Sequence, residues 1–97
     1  MIRILGLAKK AGLLAVGSES VAQAARTGKA AAIISASDAS ERSIRQARIY
    51  AEDAECDHIA VPYTKFELGQ VTGRGSPGIV AILDAGLAHK FITGLDM

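Results

Sequence analysis

Two short, wholly apolar runs, "AAAII" at 30–34 and "IVAIL" at 79–83, constrain this 97-residue chain more than any other feature. Neither alternates polar with apolar residues, and both are bounded by turn or capping residues, so each reads as a β-strand buried on both faces. A strand covered on both sides needs helices above and below its sheet. The segments between the runs have the period to supply them.

Ile4, Leu7, Ala8 and Ala11 recur at helical spacing, which predicts a first helix of about ten residues stopped at Gly12. "LLAVG" is a short extended segment. "GSESVAQAARTG" at 17–28 then predicts a helix capped by Ser18, or by a Ser20/Gln23 capping box, and ended by Gly28. After the first apolar run, Asp38 or Ser40 caps a helix over 41–54, with Ile44, Ala47, Ala51 and Ala54 facing inward. "HIAVPY" predicts a strand ending at Pro62, and "TKFE" at 64–67 is a capping box opening a helix that runs to about Gly73. "GRGSPG" makes a loop before the second apolar run. Asp84 caps a last helix lined by Leu87, Ala88 and Phe91 and stopped at Gly94. The alternation predicts one α/β domain over 1–97, with helices on both faces of a small sheet.

Eighteen alanines against four aromatics (Tyr50, Tyr63, Phe66, Phe91) imply a core made by close approach of helices to the sheet. The same scarcity disfavours modules that hold single strands by stacking bases on aromatic rings. Cys56 is the single cysteine, which rules out an internal disulfide; the Cys56-x-His58 pair lacks the further ligands of a closed zinc site, so no metal is expected. An ordinary reduced thiol fits a cytoplasmic protein. "MIRILGLAKKAGLLAVG" is interrupted by Lys9 and Lys10 where a signal peptide would be apolar, and no apolar run exceeds five residues, so neither export nor a spanning helix is expected.

Catalytic chemistry has little to stand on. His58 and His89 lie near no nucleophile setting such as G-x-S-x-G, and both read as satisfied surface histidines. "GRGSPG" precedes a strand rather than a helix, and so matches neither a dinucleotide fingerprint nor a phosphate-binding loop. The expectation is a protein with no catalytic residues and no cofactor.

Two Gly/Ser-rich loops, at 16–20 and 73–78, are free of bulky side chains and let backbone approach a ligand closely. The first puts N–H groups and the hydroxyls of Ser18 and Ser20 at a helix start, where phosphate oxygens or base edges accept hydrogen bonds. Glu19 there would repel phosphate but can accept from a base amino group, which favours a base edge as target. Residues 1–50 carry eight basic and three acidic residues, whereas 51–97 carry three and seven. This asymmetry suits a one-sided basic surface, with Lys29 and Arg74 as phosphate contacts.

At these residues the chain resembles the kink-turn-binding ribosomal proteins, the group of the archaeal seven-Ae and thirty-e large-subunit proteins, and especially its short bacterial branch. That family's motif is Gly-x-Asn-Glu-x-x-Lys, then a second Gly eleven residues after the first, an apolar strand and Ala-x-Asp. Gly17, Gly28 and "AAIISASD" match its frame, and "VPYTKFELGQVTG" matches a second family pattern downstream. The resemblance implies a three-layer α-β-α sandwich with a mixed sheet of about four strands. It also implies recognition of RNA bearing a kink-turn, such as ribosomal RNA, without DNA or membrane partners. By the same resemblance Gly17, Ser18, Glu19, Ser20 and Gln23 meet the tandem G·A pairs, and Arg74, Gly75, Ser76, Pro77 and Ile79 enclose an extruded nucleotide. Glu19, Ser20 and Gln23 stand where the motif has Asn, Glu and Lys. The change from Lys to Gln removes one phosphate-directed charge and lowers the salt slope of binding by about one. A protein-interaction domain that keeps the fold without kink-turn recognition is the alternative.

Overall fold

The computed structural model describes residues 2–73 and 75–95. Helices and strands alternate along the chain as α1 (Ile2–Lys10), β1 (Leu14–Val16), α2 (Ser18–Arg26), β2 (Ala32–Ser35), α3 (Glu41–Ala54), β3 (Asp57–Ala60), α4 (Lys65–Thr72), β4 (Ile79–Ile82) and α5 (Ala85–Leu95). The sheet order is β1-β4-β2-β3, with β4 antiparallel to both neighbours and β3 parallel to β2. The two apolar runs therefore form the two central strands, β2 and β4, and every residue of both is buried.

Strand alternation divides the core into two layers. Leu14, Ala32, Ile34, Val80 and Ile82 face one side and pack on Leu5 and Ala8 of α1, Leu68 of α4, and Ala88 and Phe91 of α5. Ala15, Ile33, Ile79 and Ala81 face the other and pack on Val21 and Ala24 of α2 and Ala47 and Ala51 of α3. The result is a three-layer α-β-α sandwich. Eleven of the 22 buried apolar residues are alanines, so helix backbones ride close to the sheet and Phe91 is the one aromatic ring in the described core.

Capping explains most helix boundaries. Ser40 Oγ accepts from the Ser43 N–H at 3.1 Å and starts α3, while Thr64 and Glu67 form a reciprocal capping box at α4. Asp84 Oδ2 accepts from the Leu87 N–H at 2.9 Å at the start of α5. Asp38 is not the cap of α3; its carboxylate accepts from the Lys65 N–H at 2.8 Å, in the first turn of α4, and ties the β2–α3 turn to that helix. Two boundaries differ from expectation. α5 continues through Gly94, since one glycine costs a helix only about 1 kcal/mol. Neither Ser18 nor Ser20 caps α2: the N-cap is Gly17, and no side chain closes that helix start.

His58 is half-buried on the edge strand β3 rather than a plain surface residue, and its Nε2 lies 2.9 Å from the buried Ser35 Oγ. Burial first, and the Arg48 guanidinium second, hold its pKa below the ordinary histidine value. The neutral ring is thus favoured in the fold, and its stabilising contribution is complete above about pH 6.5 and lost as pH falls below that value toward the lower folded-state pKa. Urea unfolding midpoints should decline on acidification through this window, and His58→Gln should flatten that part of the profile.

Candidate nucleic-acid interface

β1, β2 and β3 run parallel, so the connections leaving them all emerge at one end of the sheet and lead directly into α2, α3 and α4. Three helix N-termini share that end, each carrying partial positive charge. Side chains cap α3 and α4; the start of α2 alone among the three has no side-chain acceptor on its first-turn N–H groups.

The loop before β4 returns to the same end. Val16 pairs with Val80 across the β1–β4 ladder, and the Gly17 N–H donates to the Ile79 carbonyl at 3.1 Å. The two Gly/Ser loops therefore meet side by side. Gly17 has φ 91° and ψ 161°, a backbone region that residues with a Cβ scarcely enter, and this geometry turns the chain from β1 straight into α2. Gly75, at φ 28°, lies on the facing loop.

Ser18, Glu19, Ser20 and Gln23 are exposed on α2, as are Gly75 and Ser76 in the loop before β4, while Pro77 is partly covered. Ser20 and Gln23 are three apart and share a helix face. The corner thus offers donors (free N–H groups, hydroxyls and the Gln23 amide) beside one acceptor, the Glu19 carboxylate, a mixture matched to base edges and phosphate oxygens together.

Ile79 is 1% exposed and packs in the α2/α3 core, because the strand alternation that buries Ala81 also turns Ile79 inward; its carbonyl, not its side chain, builds the corner. Lys29 follows α2 at the far end of the helix from Gly17. It lines a groove of about 280 Å³ with Lys9, Ser20, Gln23 and Thr27 along the edge strand β1, which places it along the face of α2 that carries Ser20 and Gln23. Arg74 falls outside the described residues.

The β2–α3 turn also belongs to this end of the sheet. The Ala36 N–H donates to the Gly78 carbonyl at 2.9 Å, and the Ser37 N–H to the Tyr63 carbonyl at 2.8 Å. The first bond braces the 75–78 loop against "ASD" at 36–38 and the second ties that turn to "YTK" at 63–65, segments that carry the Ala-x-Asp and Thr-Lys of the family patterns. Among the described residues no three His, Cys, Asp or Glu side chains gather into a metal site, and no helix is long and apolar enough to cross a membrane. Cys56 stands apart from the corner, at the start of β3, with its thiol pKa raised by burial and then by the Asp57 carboxylate, the opposite of an activated thiolate.

Similarity to known proteins agrees with this architecture. A protein of unknown function from Bacillus halodurans C superposes with a TM-score of 0.87 at 25% identity, covering 99% of this chain and 96% of that one. A Giardia lamblia 15.5kD RNA binding protein shares the fold, with a TM-score of 0.76 at 16% identity over 98% of this chain and 83% of its own. In sequence, the chain is 31% identical to the RNA-binding protein YlxQ of Bacillus subtilis (strain 168), over 96% of this chain and 92% of the relative. Residues 2–92 match the family model, and the chain belongs to the ribosomal protein L7Ae/L30e/S12e/Gadd45 family.

Proposed function

We propose that this chain is a non-catalytic, cytoplasmic RNA-binding protein that holds a kink-turn or a similarly bent internal loop at the corner between the start of α2 and the loop before β4. Ribosomal RNA is the class of target to which its family points. The observation that carries the reading is the 3.1 Å hydrogen bond from Gly17 to Ile79, which joins the two small-residue loops into one surface next to an uncapped helix start. RNA binding in general is supported by the 31% identical relative, whose name describes it as RNA-binding.

A straight duplex offers a continuous groove and two regular phosphate rows, whereas a sharp bend presents base edges and splayed phosphates in one small volume. Short side chains at positions 17, 18, 20, 75 and 76 leave room for that crowded apex, and the helix dipole favours its phosphates. Amide resonances of the isotope-labelled protein, titrated with a kink-turn RNA, test the placement. Shifts at both 17–23 and 75–78 are expected. Shifts confined to one of the two loops, or centred on the arginines of α3, would refute it.

A further inference from the structure

We propose that the cleft between α1 and α4, on the opposite face of the sheet from α2, docks an acidic amphipathic helix of a partner protein. This inference does not rest on the RNA reading. The cleft measures about 560 Å³ and is lined by Arg3, Leu7, Lys9, Lys10, Gln70 and Val71 among others. Leu7 is 60% exposed although it sits on a helix whose Leu5 and Ala8 are fully buried. Phe66 is 64% exposed on the same helix as Gln70 and Val71, one turn before Gln70.

One of the hydroxyls at this floor is used within its own helix. The Thr72 hydroxyl donates to the Leu68 carbonyl at 2.8 Å within α4, and Gly6 leaves α1 without a side chain where it faces Val71. Apolar side chains of this kind give nucleobase edges nothing to bond to, but they suit the apolar face of a helix laid between two others. Charge then selects the occupant. Among the described residues every ionisable side chain lining the cleft is a cation, and α1 contains no carboxylate. A second copy of this chain in an isologous contact would set the same three cations against each other, whereas a helix with acidic flanks would pair with them.

The probes are two synthetic peptides of about 18 residues with the same leucine pattern, one with glutamates and one with lysines on its polar face. Titrated into the isotope-labelled full chain, the acidic peptide should shift the amides of Leu7, Gln70 and Val71 and bind roughly tenfold or more tighter than the basic one. Leu7→Asp replaces an exposed side chain, so it should leave the circular dichroism spectrum and thermal midpoint unchanged while weakening the acidic peptide roughly tenfold. Arg3→Glu combined with Lys10→Glu should reverse the order of the two peptides. Equal affinities, shifts located elsewhere, indifference to Leu7→Asp, or displacement of the peptide by a kink-turn RNA would each overturn the proposal. A failure to discriminate bent from straight RNA would leave it standing.

Discussion

Ser20→Glu together with Gln23→Lys is expected to tighten binding to a kink-turn RNA by roughly 30-fold, equivalent to about 2 kcal/mol. Both side chains are exposed on one face of α2 immediately beside the Gly17–Ile79 corner, so neither change disturbs the core. Glutamate at position 20 supplies an acceptor for a purine amino group, and one good base contact is worth about 1–3 kcal/mol of discrimination. Lysine at position 23 adds a phosphate contact, which should steepen the dependence of log K on log salt by about 0.9. Filter binding of the double variant at several salt concentrations reads both quantities. An unchanged affinity and slope would mean that this face of α2 looks into solvent in the complex.

Gly17→Ala is expected to lower stability by about 1–3 kcal/mol, because the new Cβ would have to adopt the φ 91°, ψ 161° backbone that α2 requires for its start. Beyond the two adjoining residues, no atom of the described residues lies within 4 Å of where that Cβ would sit, so the cost is conformational and not a collision. For a domain of this size each kcal/mol displaces the thermal midpoint by about 4–8 °C. The variant that relieves the strain does so by rotating the first turn of α2 away from Ile79, so RNA affinity measured well below the midpoint should fall roughly tenfold or more. Calorimetry and filter binding on one preparation separate the two effects. A Gly17→Ala protein with wild-type midpoint and affinity would show that the corner does not depend on this geometry.

What was legible in the sequence depended on how local each cause is. "AAAII" and "IVAIL" announce doubly covered strands because burial on both faces acts on every residue of the run, and the Thr64/Glu67 capping box is a four-residue device that carries its own partners. The span of α3 agrees with the expected 41–54, although Glu55 rather than a glycine takes the left-handed position after it, at φ 54°. The bare start of α2, by contrast, was read wrongly. Ser18 and Ser20 have the chemistry of caps, yet Gly17 is held by a β4 carbonyl distant in sequence, which shifts the helix start and puts both serines inside the first turn.

The site divides the same way. Gly17 to Gln23 follow from the position of a helix start, whereas the approach of Gly17 to the start of β4 comes from the β1–β4 pairing, which nothing local in the sequence announces. Ile79 shows the limit: sequence proximity to a motif says nothing about which way a strand residue points at its first position.

The most direct test of the account is the affinity of this protein for a kink-turn RNA compared with a fully paired duplex of the same length and base composition, each at about 50 mM and 200 mM salt. The predicted result is a preference for the bent RNA of roughly tenfold or more that persists at the higher salt, because base-edge contacts at the Gly17–Ile79 corner are screened little. Equal affinities that fall together as salt rises would contradict it, since that behaviour belongs to a basic surface holding any polyanion.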